Sequence, residues 1–159
     1  LIVSRGLGDV YKRQLFIEGK LEPAAIRRIG LRPWTPTIVE RTLRLVGGSL
    51  SALDHALSNI TIAGNMAGGT HHAYRDCGSG YCIFNDVAIC ALAALKEPGI
   101  KKVLILDLDV HQGDGTAAIL HEHSNISPVP FTPKVTSPSV NNKAISMSTS
   151  RTRPRMPTT

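Results

Sequence analysis

The sequence predicts an α/β fold in which a parallel sheet is covered by helices on both faces. Two apolar segments, at 60–66 and 103–108, have the composition of buried strands, and the residues between them include a helical pattern. Strand, helix and strand in this order form a right-handed βαβ unit. Both predicted strands are therefore expected to run in parallel and to end at the same edge of the sheet.

A short helix is predicted first, from Ala24 to Ile29. It follows Pro23, and Gly30 comes directly after it. Proline is favoured at the first position of a helix, and glycine is favoured where a helix ends in a left-handed residue. These two residues therefore set the predicted ends of the helix.

A long amphipathic helix is predicted next, with Thr35 as its N-cap and Pro36 as its first residue. Its apolar side chains recur at spacings of three and four residues. They are Val39, Leu43, Val46, Leu50, Leu53 and Leu57. The pair Gly47-Gly48 leaves two interpretations open: one helix that packs closely against the sheet, or two helices with a break between them.

A third helix is predicted between the two strands. Asn85 or Asp86 is suited to cap its N-terminus, and its apolar residues continue to Leu95. Pro98 and Gly99 then end the helix, because neither residue favours its continuation. The second predicted strand follows directly.

Polar side chains follow the second predicted strand. Asp107, Asp109 and His111 are two residues apart, so in an extended chain they share one face. A carboxylate oxygen and an imidazole nitrogen each bind zinc at about 2 Å. Asp109 and His111 are therefore predicted to bind one metal ion, although an acidic loop without a ligand has the same pattern.

Two adjacent histidines, His71 and His72, follow the first predicted strand in a glycine-rich loop. Adjacent histidines on a loop cannot both face a core, and glycine lets the backbone approach a ligand closely. Asp107 and Asp114 are expected to pair with these histidines, to fix their tautomers and to tune their basicity. The pattern favours a catalytic site over a structural role.

The chain resembles the histone deacetylase family in three motifs. They are AGGTHHAYRD, GSGYCIFNDVA and VLILDLDVHQGDGT. The motifs have the order and spacing of that family, most closely of its bacterial-type and class IV-like members and of the related acetylpolyamine amidohydrolases. The resemblance implies zinc-dependent hydrolysis of an acetyl-lysine-like amide by an arginase/deacetylase-like three-layer fold, of which this chain is expected to be a fragment.

The resemblance also implies the cofactor, which is Zn²⁺. Asp109 and His111 match two of the three zinc ligands of the family. The third ligand, an aspartate, and a tyrosine that supports the oxyanion come from downstream loops in the family, and no residue of this chain matches them. With two protein ligands, weak zinc binding and little or no activity are expected of the 159-residue chain.

The resemblance gives the two histidines different roles. His72, matched with its partner Asp114, is expected to act as a base that takes a proton from the attacking water and then as an acid that returns it. His71, matched with its partner Asp107, is expected to stabilise charge. All four residues are thus expected to be catalytic.

Gly80 and Tyr81 match a glycine and an aromatic residue of the substrate tunnel, where the family usually has phenylalanine. The implied substrate is an acetylated lysine of a protein or a small acetylated amine. The loops that set access to the tunnel are mostly absent from the sequence, so both substrate classes stay open.

Two alternative functions also stay open. One is a dimanganese ureohydrolase, which shares the fold. Its second metal needs a carboxylate two residues past the histidine, where this chain has Gly113, with Asp114 one residue later. The other is a truncated product that neither folds nor binds metal and leaves apolar surface exposed.

Three parts of the chain differ in composition. Residues 1–14 lack an amphipathic period and resemble a translated sequencing-adapter read, so they are expected to be a non-native leader. Residues 15–127 are expected to be a partial deacetylase catalytic domain. The tail, 128–159, is rich in Ser, Thr, Pro and basic residues and is expected to be frameshifted and disordered.

The net charge of +6 comes from the two ends of the chain. Residues 15–128 contain ten basic and eleven acidic residues and no basic stripe with interleaved aromatic residues, so no nucleic-acid partner is expected. No apolar stretch has the length of a signal sequence or a membrane span, so no membrane contact is expected. An odd number of cysteines, three, fits the reducing cytoplasm.

The nucleotide sequence of the gene tests the predicted frameshift. Permitted codons regrouped from Phe131 onward give His-Ala-Glu-Ser and then Asn, Phe, Pro, Phe and Arg, which resembles the family's segment after the zinc-binding strand. Sequencing is expected to find codons that permit this second frame as far as Thr159. A continuous frame with other codons at these positions would disprove the frameshift.

Overall fold

The computed structural model describes residues 10–130 and 148–151, which form five helices and three strands. The helices are α1 (Val10–Ile17), α2 (Pro23–Ile29), α3 (Thr37–Asn59), α4 (Asp86–Ala94) and α5 (Asp114–Leu120). The strands are β1 (Ile100–Asp107), β2 (Ile126–Pro130) and β3 (Ser148–Arg151). The strands form one sheet in the order β2-β1-β3.

β1 is the central strand of this sheet. It pairs in parallel with β2, from Val103 opposite Ile126 to Asp107 opposite Pro130, and in antiparallel with β3. Because α5 connects the two parallel strands, β1, α5 and β2 form a βαβ unit. The predicted α/β class with a parallel strand pair is confirmed. Pro128 is tolerated in β2 because this strand lies at the edge of the sheet.

The strand predicted at 60–66 is wrong. Ile60 ends α3 in a left-handed conformation, with φ 51°, and the Thr61 N–H donates back into the last turn of that helix. Ile62 and Met66 are fully exposed. Both edges of β1 are taken by β2 and β3, so β1 has no edge left for this segment. The βαβ unit predicted around α4 is therefore also wrong.

The predicted helices are confirmed, with small shifts at their ends. α2 begins at Pro23 and is followed by Gly30, whose φ of 84° lies in the left-handed region. α3 runs without a break through Gly47-Gly48, so the one-helix interpretation is right. The N-cap of α3 is Pro36 rather than the predicted Thr35.

The core consists of two clusters of buried apolar side chains. One lies between the sheet and the helices α4 and α5, and it contains Ala88, Ala91, Ala94, Ile100, Val103, Ile105, Ile119, Leu120 and Ile126. The other joins the first three helices to α4, and it contains Phe16, Ile29, Ile38, Val46, Ile83, Phe84 and Ile89. The rings of Phe16 and Phe84 meet edge to face, with centroids 5.3 Å apart. α4 contributes to both clusters, so its N-terminus is held firmly in place.

The boundaries predicted for the leader and the tail stay predictions. Residues 10–14 of the predicted leader belong to α1, and the residues before them lie outside the described part. In the predicted tail, 128–130 belong to β2 and 148–151 to β3, and the rest lies outside the described part. Within the two described ranges, no helix is long and apolar enough to cross a membrane.

Lys12 connects α1 to the loop after the two histidines by a hydrogen bond. Its side chain is buried, its ammonium donates to the Tyr74 carbonyl at 2.9 Å, and it lies 5.5 Å from the centre of the Phe84 ring. Burial lowers the pKa of Lys12 from 10.5 to about 8, although Cys77 and Asp76 oppose this shift.

The variant Lys12→Met is expected to remove a pH dependence of stability. Between pH 8 and 10.5 the folded chain has lost the Lys12 proton, whereas the unfolded chain keeps it. Because the unfolded state then binds more protons, the free energy of unfolding of the wild type should rise relative to that of the variant, by up to about 3 kcal/mol. Urea unfolding at pH 7.5 and at pH 10.5 measures the difference. Parallel pH curves for the two proteins would contradict it.

Candidate functional site

The candidate active site lies where the loop at 69–73 meets the carboxyl end of β1. His71 Nδ1 lies 2.5 Å from Asp107 Oδ2, and both side chains are largely buried. A carboxylate can only accept a hydrogen bond, so the shared proton belongs to Nδ1 of the imidazole. The structure thus brings His71 together with the acid that was expected to pair with it.

His72 meets Asp114 at the start of α5. Its Nδ1 donates to Asp114 Oδ1 at 2.9 Å, and the Gly115 N–H donates to the same oxygen at 2.9 Å. The other carboxylate oxygen accepts from the Tyr74 hydroxyl at 2.8 Å. Burial tends to raise the pKa of Asp114, but the hydrogen bonds from His72 and Tyr74 outweigh burial and hold that pKa below its usual value.

Asn85 joins α4, the loop of the histidines and α5. It caps α4, because its Oδ1 accepts from the Ala88 N–H at 2.9 Å. The two hydrogens of its amide nitrogen are shared among three acceptors: the carbonyls of His71 and Ala73, at 3.2 and 3.0 Å, and the Thr116 hydroxyl, at 2.9 Å. Thr116 is fully buried, and its N–H donates to the His71 carbonyl at 3.0 Å. The backbone on both sides of His72 is thereby fixed.

Asp86 holds the residues just before the two histidines. Its carboxylate, in a residue that is 3% exposed, accepts from the N–H groups of Gly69 and Thr70, from the Thr70 hydroxyl and from the hydroxyl of Ser49 in α3. A Cβ at Gly68 would lie 2.6 Å from this carboxylate, so only glycine fits there. The loop is therefore tied to α3 as well as to α4.

The sequence prediction misses four hydroxyl residues of this network. They are Ser49, Thr70, Tyr74 and Thr116; the last three lie inside the quoted motifs, but the motifs alone assign them no role. One weak signal is present: Tyr74 lies two residues after His72, and Thr116 lies two residues after Asp114. A hydroxyl two residues from a predicted site residue is close enough to hydrogen-bond with the groups that surround that residue.

Asp109 and His111 lie on a turn after β1. Because β1 ends at Asp107, the prediction that these three residues share one face of a strand is wrong. Asp107 Oδ1 accepts from the Asp109 N–H at 3.0 Å, and Asp109 Oδ1 accepts from the His111 N–H at 2.7 Å. Such bonds to an N–H two residues onward compete with strand pairing and turn the chain. Leu108 and Val110 are consequently exposed.

The turn nevertheless brings Asp109 and His111 together. His111 Nδ1 lies 2.9 Å from Asp109 Oδ1, and both side chains are at least half exposed. The hydrogen bond from the His111 N–H is the main cause that lowers the pKa of Asp109. The imidazole rings of His72 and His111 have centroids 6.1 Å apart, so the two histidine–acid pairs lie beside this third pair.

The donor set of Asp109 and His111 fits a zinc ion. Carboxylate oxygen and imidazole nitrogen are both zinc ligands, and two atoms bound at about 2 Å to one tetrahedral ion lie about 3.3 Å apart. In the structure these two atoms lie 2.9 Å apart and share a hydrogen bond, so a bound ion would replace the shared proton. Among the residues that the structure describes, no group of three or more His, Cys, Asp or Glu is arranged to bind a metal. The described part therefore offers two ligands.

Gly80 lies beside His72, and Tyr81 follows it in the chain. A Cβ at Gly80 would come within 2.8 Å of the His72 imidazole, so the bare backbone packs on the ring. Tyr81 is 69% exposed and has a φ of 64°, and its N–H donates to the Ile29 carbonyl at 2.7 Å. Its ring lies against Gly30, where a Cβ would be 3.3 Å away. The end of α2 thus sets the position of Tyr81.

Two imidazoles, each bound to an acid, lie at the carboxyl end of a parallel strand, where open α/β sheets place their ligands, and such pairs are suited to proton transfer. A family model, the histone deacetylase domain, matches residues 17–132. The chain therefore belongs to the histone deacetylase family, and the predicted family is confirmed.

Known relatives are longer than this chain. An uncharacterized protein of Picosynechococcus sp. is 48% identical over 112 residues, which make up 70% of this chain and 36% of that protein. The acetoin utilization protein AcuC of Bacillus subtilis is 37% identical over 83 residues, which make up 52% of this chain and 21% of that protein. The chain thus spans about a third or less of the length of these relatives.

Solved structures share the fold. The crystal structure of an HDAC homolog from Aquifex aeolicus matches with a TM-score of 0.69 and 22% identity, over 80% of this chain and 36% of that chain. The crystal structure of an HDAC homolog complexed with SAHA matches with a TM-score of 0.69 and 23% identity over the same shares. The predicted arginase/deacetylase-like fold is therefore confirmed.

The variant Gly80→Ala is expected to displace the His72 imidazole, because the new Cβ would overlap the ring. Gly19→Ala is the matched control, since Gly19 is also left-handed, with φ 67° against 53°, but has nothing within 4 Å of its Cβ position. The control should lose about 1–2 kcal/mol of unfolding free energy from backbone strain.

Gly80→Ala should lose more and should also change the side-chain ¹⁵N signals of His72. Chemical unfolding and histidine NMR spectra measure the two effects. Equal losses in both variants, together with an unchanged His72 spectrum, would contradict this prediction.

Proposed function

We propose that the chain carries part of the active site of a zinc-dependent deacetylase that hydrolyses an acetyl-lysine-like amide. The observation that carries the proposal is the meeting of His71 with Asp107 and of His72 with Asp114, beside a carboxylate–imidazole pair. Membership in the histone deacetylase family supports the same reaction class.

His72 is the proposed general base and acid. Asp114 holds the proton on Nδ1, so Nε2 has the lone pair that can accept a proton from the attacking water. The lowered pKa of Asp114 keeps its carboxylate ionised at neutral pH. That negative charge stabilises the imidazolium formed when His72 takes the proton, and the imidazolium then protonates the leaving amine.

His71 is proposed to act by its charge. It is 6% exposed, and its ring centroid lies 4.2 Å from that of His72. Its Nδ1 is held by Asp107, so the ring has a fixed orientation and Nε2 is the nitrogen left to face the substrate. This role requires the imidazolium form of His71, whose second proton, on Nε2, donates to the negative charge that develops on the amide oxygen.

Asp109 and His111 are the residues proposed to hold zinc. When bound, zinc polarises the amide carbonyl and lowers the pKa of the attacking water. Gly113 supports a single ion, because the dimanganese alternative needs a carboxylate at that position. A Cβ at Gly113 would overlap the Asp107 carboxylate, so no side chain fits there.

Gly80 and Tyr81 are proposed to line the path of the substrate, which is an acetylated lysine or a small acetylated amine. The 159-residue chain is proposed to have little or no activity by itself, since it offers two metal ligands in its described part. Its proposed compartment is the cytoplasm, and the presence of Cys77, Cys82 and Cys90 as free thiols supports this.

Zinc binding by the chain is expected to be weak and to depend on the proposed ligands. Asp109→Asn and His111→Ala should each weaken it more than about tenfold, because each removes one of two ligands. His121→Ala is the matched control, since His121 is exposed and bonds within its own turn of helix. Titration calorimetry with zinc chloride measures the affinity. If all three variants bound zinc with equal affinity, Asp109 and His111 would not be its ligands.

Deacetylation is best tested in a longer chain. A chimera in which the 112 matched residues of the Picosynechococcus protein are replaced by those of this chain supplies that context. It is expected to release acetate from an acetyl-lysine peptide or an acetylated polyamine when zinc is present. His72→Ala should reduce the rate at least about a hundredfold, whereas the exposed control His55→Ala should not.

Two results would count against the proposal. A folded, zinc-loaded chimera that releases no acetate, although its cyanobacterial parent does, would disprove the deacetylase function of this chain. Robust zinc-dependent release by the 159-residue chain alone would disprove its proposed inactivity.

A further inference from the structure

The acids of the two histidine–acid pairs are held in different ways. The Asp107 side chain is 14% exposed; its Oδ2 pairs with His71, and its Oδ1 accepts from the backbone N–H of Asp109. The Asp114 side chain is 44% exposed, and its Oδ2 accepts from the hydroxyl of Tyr74. The oxygen that faces away from the histidine is therefore held by a backbone N–H in Asp107 and by a side chain in Asp114, whose other oxygen also accepts from the Gly115 N–H.

The backbone of Tyr74 is itself fixed. Its N–H donates to the Cys77 carbonyl at 2.9 Å, and its carbonyl accepts from the buried ammonium of Lys12 at 2.9 Å. Because both backbone groups are bonded, the hydroxyl reaches Asp114 with little further loss of conformational freedom. Tyr74 is thus prearranged as a donor.

The Tyr74 hydroxyl stays a donor at neutral pH. Burial, and then the hydrogen bond to Asp114, raise the pKa of Tyr74 above its usual value. A phenol has one proton to donate, and here the proton goes to Asp114 Oδ2 at 2.8 Å. Oδ1 of the same carboxylate is left for His72 and the Gly115 N–H.

We infer that Tyr74 is a positioning residue for His72. Its hydroxyl holds the half-exposed carboxylate of Asp114 in the orientation that presents Oδ1 to His72 Nδ1. Without this bond, water competes for Oδ2 and the carboxylate is free to rotate away from the imidazole. The catalytic meaning of the inference rests on the proposed role of His72 as a base, but the arrangement of hydroxyl, carboxylate and imidazole is testable without catalysis.

The variant Tyr74→Phe tests the inference, because it removes the hydroxyl and keeps the ring. Side-chain ¹⁵N and ¹H NMR spectra of the histidines in the 159-residue chain report on each Nδ1–H separately. In the variant, the Nδ1–H of His72 should exchange with water about tenfold faster, the size expected for a lost hydrogen bond to a charged group. The Nδ1–H of His71 should be unchanged, since backbone orients its acid; it is the internal control.

A double-mutant cycle gives a second measurement. Tyr74→Phe should lower the equilibrium constant for folding about tenfold in the wild type and less than twofold in an Asp114→Ala background. A residue that only fills space would cause the same loss in both backgrounds.

The outcomes are distinct. Faster exchange at His72 alone, with coupling between Tyr74 and Asp114, supports the inference. An unchanged His72 signal, or the loss of both histidine signals through unfolding of the loop, overturns it. Neither readout depends on zinc or on acetate release, so this inference and the proposed deacetylase function fail independently.

Discussion

The buried side-chain amide of Asn85 is the contact on which the site depends. It caps α4 and at the same time bonds the carbonyls of His71 and Ala73 and the hydroxyl of Thr116. Each of these polar groups is buried, and leaving one of them without a hydrogen-bond partner costs on the order of 1–3 kcal/mol. The loss of any one bond is therefore expected to weaken the others. The two histidines therefore occupy their places because a helix begins next to them, and the packing of α4 into both core clusters keeps that beginning rigid.

Hydroxyl, backbone N–H and imidazole donors, rather than lysine or arginine, hold the buried carboxylates of the site. Asp86 is bound by hydroxyl and backbone N–H groups, and Asp107 by an imidazole and the N–H of Asp109. A cation beside Asp86 would cancel its negative charge, whereas the dipoles of the hydroxyl and N–H groups compensate for lost hydration and leave most of the charge in place. The negative charge of Asp107 thus strengthens its hydrogen bond with His71. That of Asp86 strengthens the hydrogen bonds from the loop before the histidines.

The short motifs predicted both histidine–acid pairs, because each motif specifies which residue types occur and how far apart they lie in the sequence. Strand pairing is a long-range property, so the apolar composition of 60–66 could not reveal that this segment would follow the end of a helix instead. The contact between Asp109 and His111 was expected from strand alternation and arises from side-chain bonds in a turn. The roles of Tyr74 and Thr116 were only weakly indicated by their spacing, since the contribution of a hydroxyl depends on which acceptor the fold places beside it.

The bond between the Tyr81 N–H and the Ile29 carbonyl links the proposed wall of the substrate path to a short helix far upstream in the sequence. The Tyr81 ring also packs against Gly30, the residue that ends this helix. A residue inserted into α2, or a bulkier residue at its end, would shift the aromatic ring without touching any catalytic group. The position of an exposed aromatic ring next to the site is therefore set by a helix about fifty residues away in the sequence, so that α2 and the two histidines can change independently.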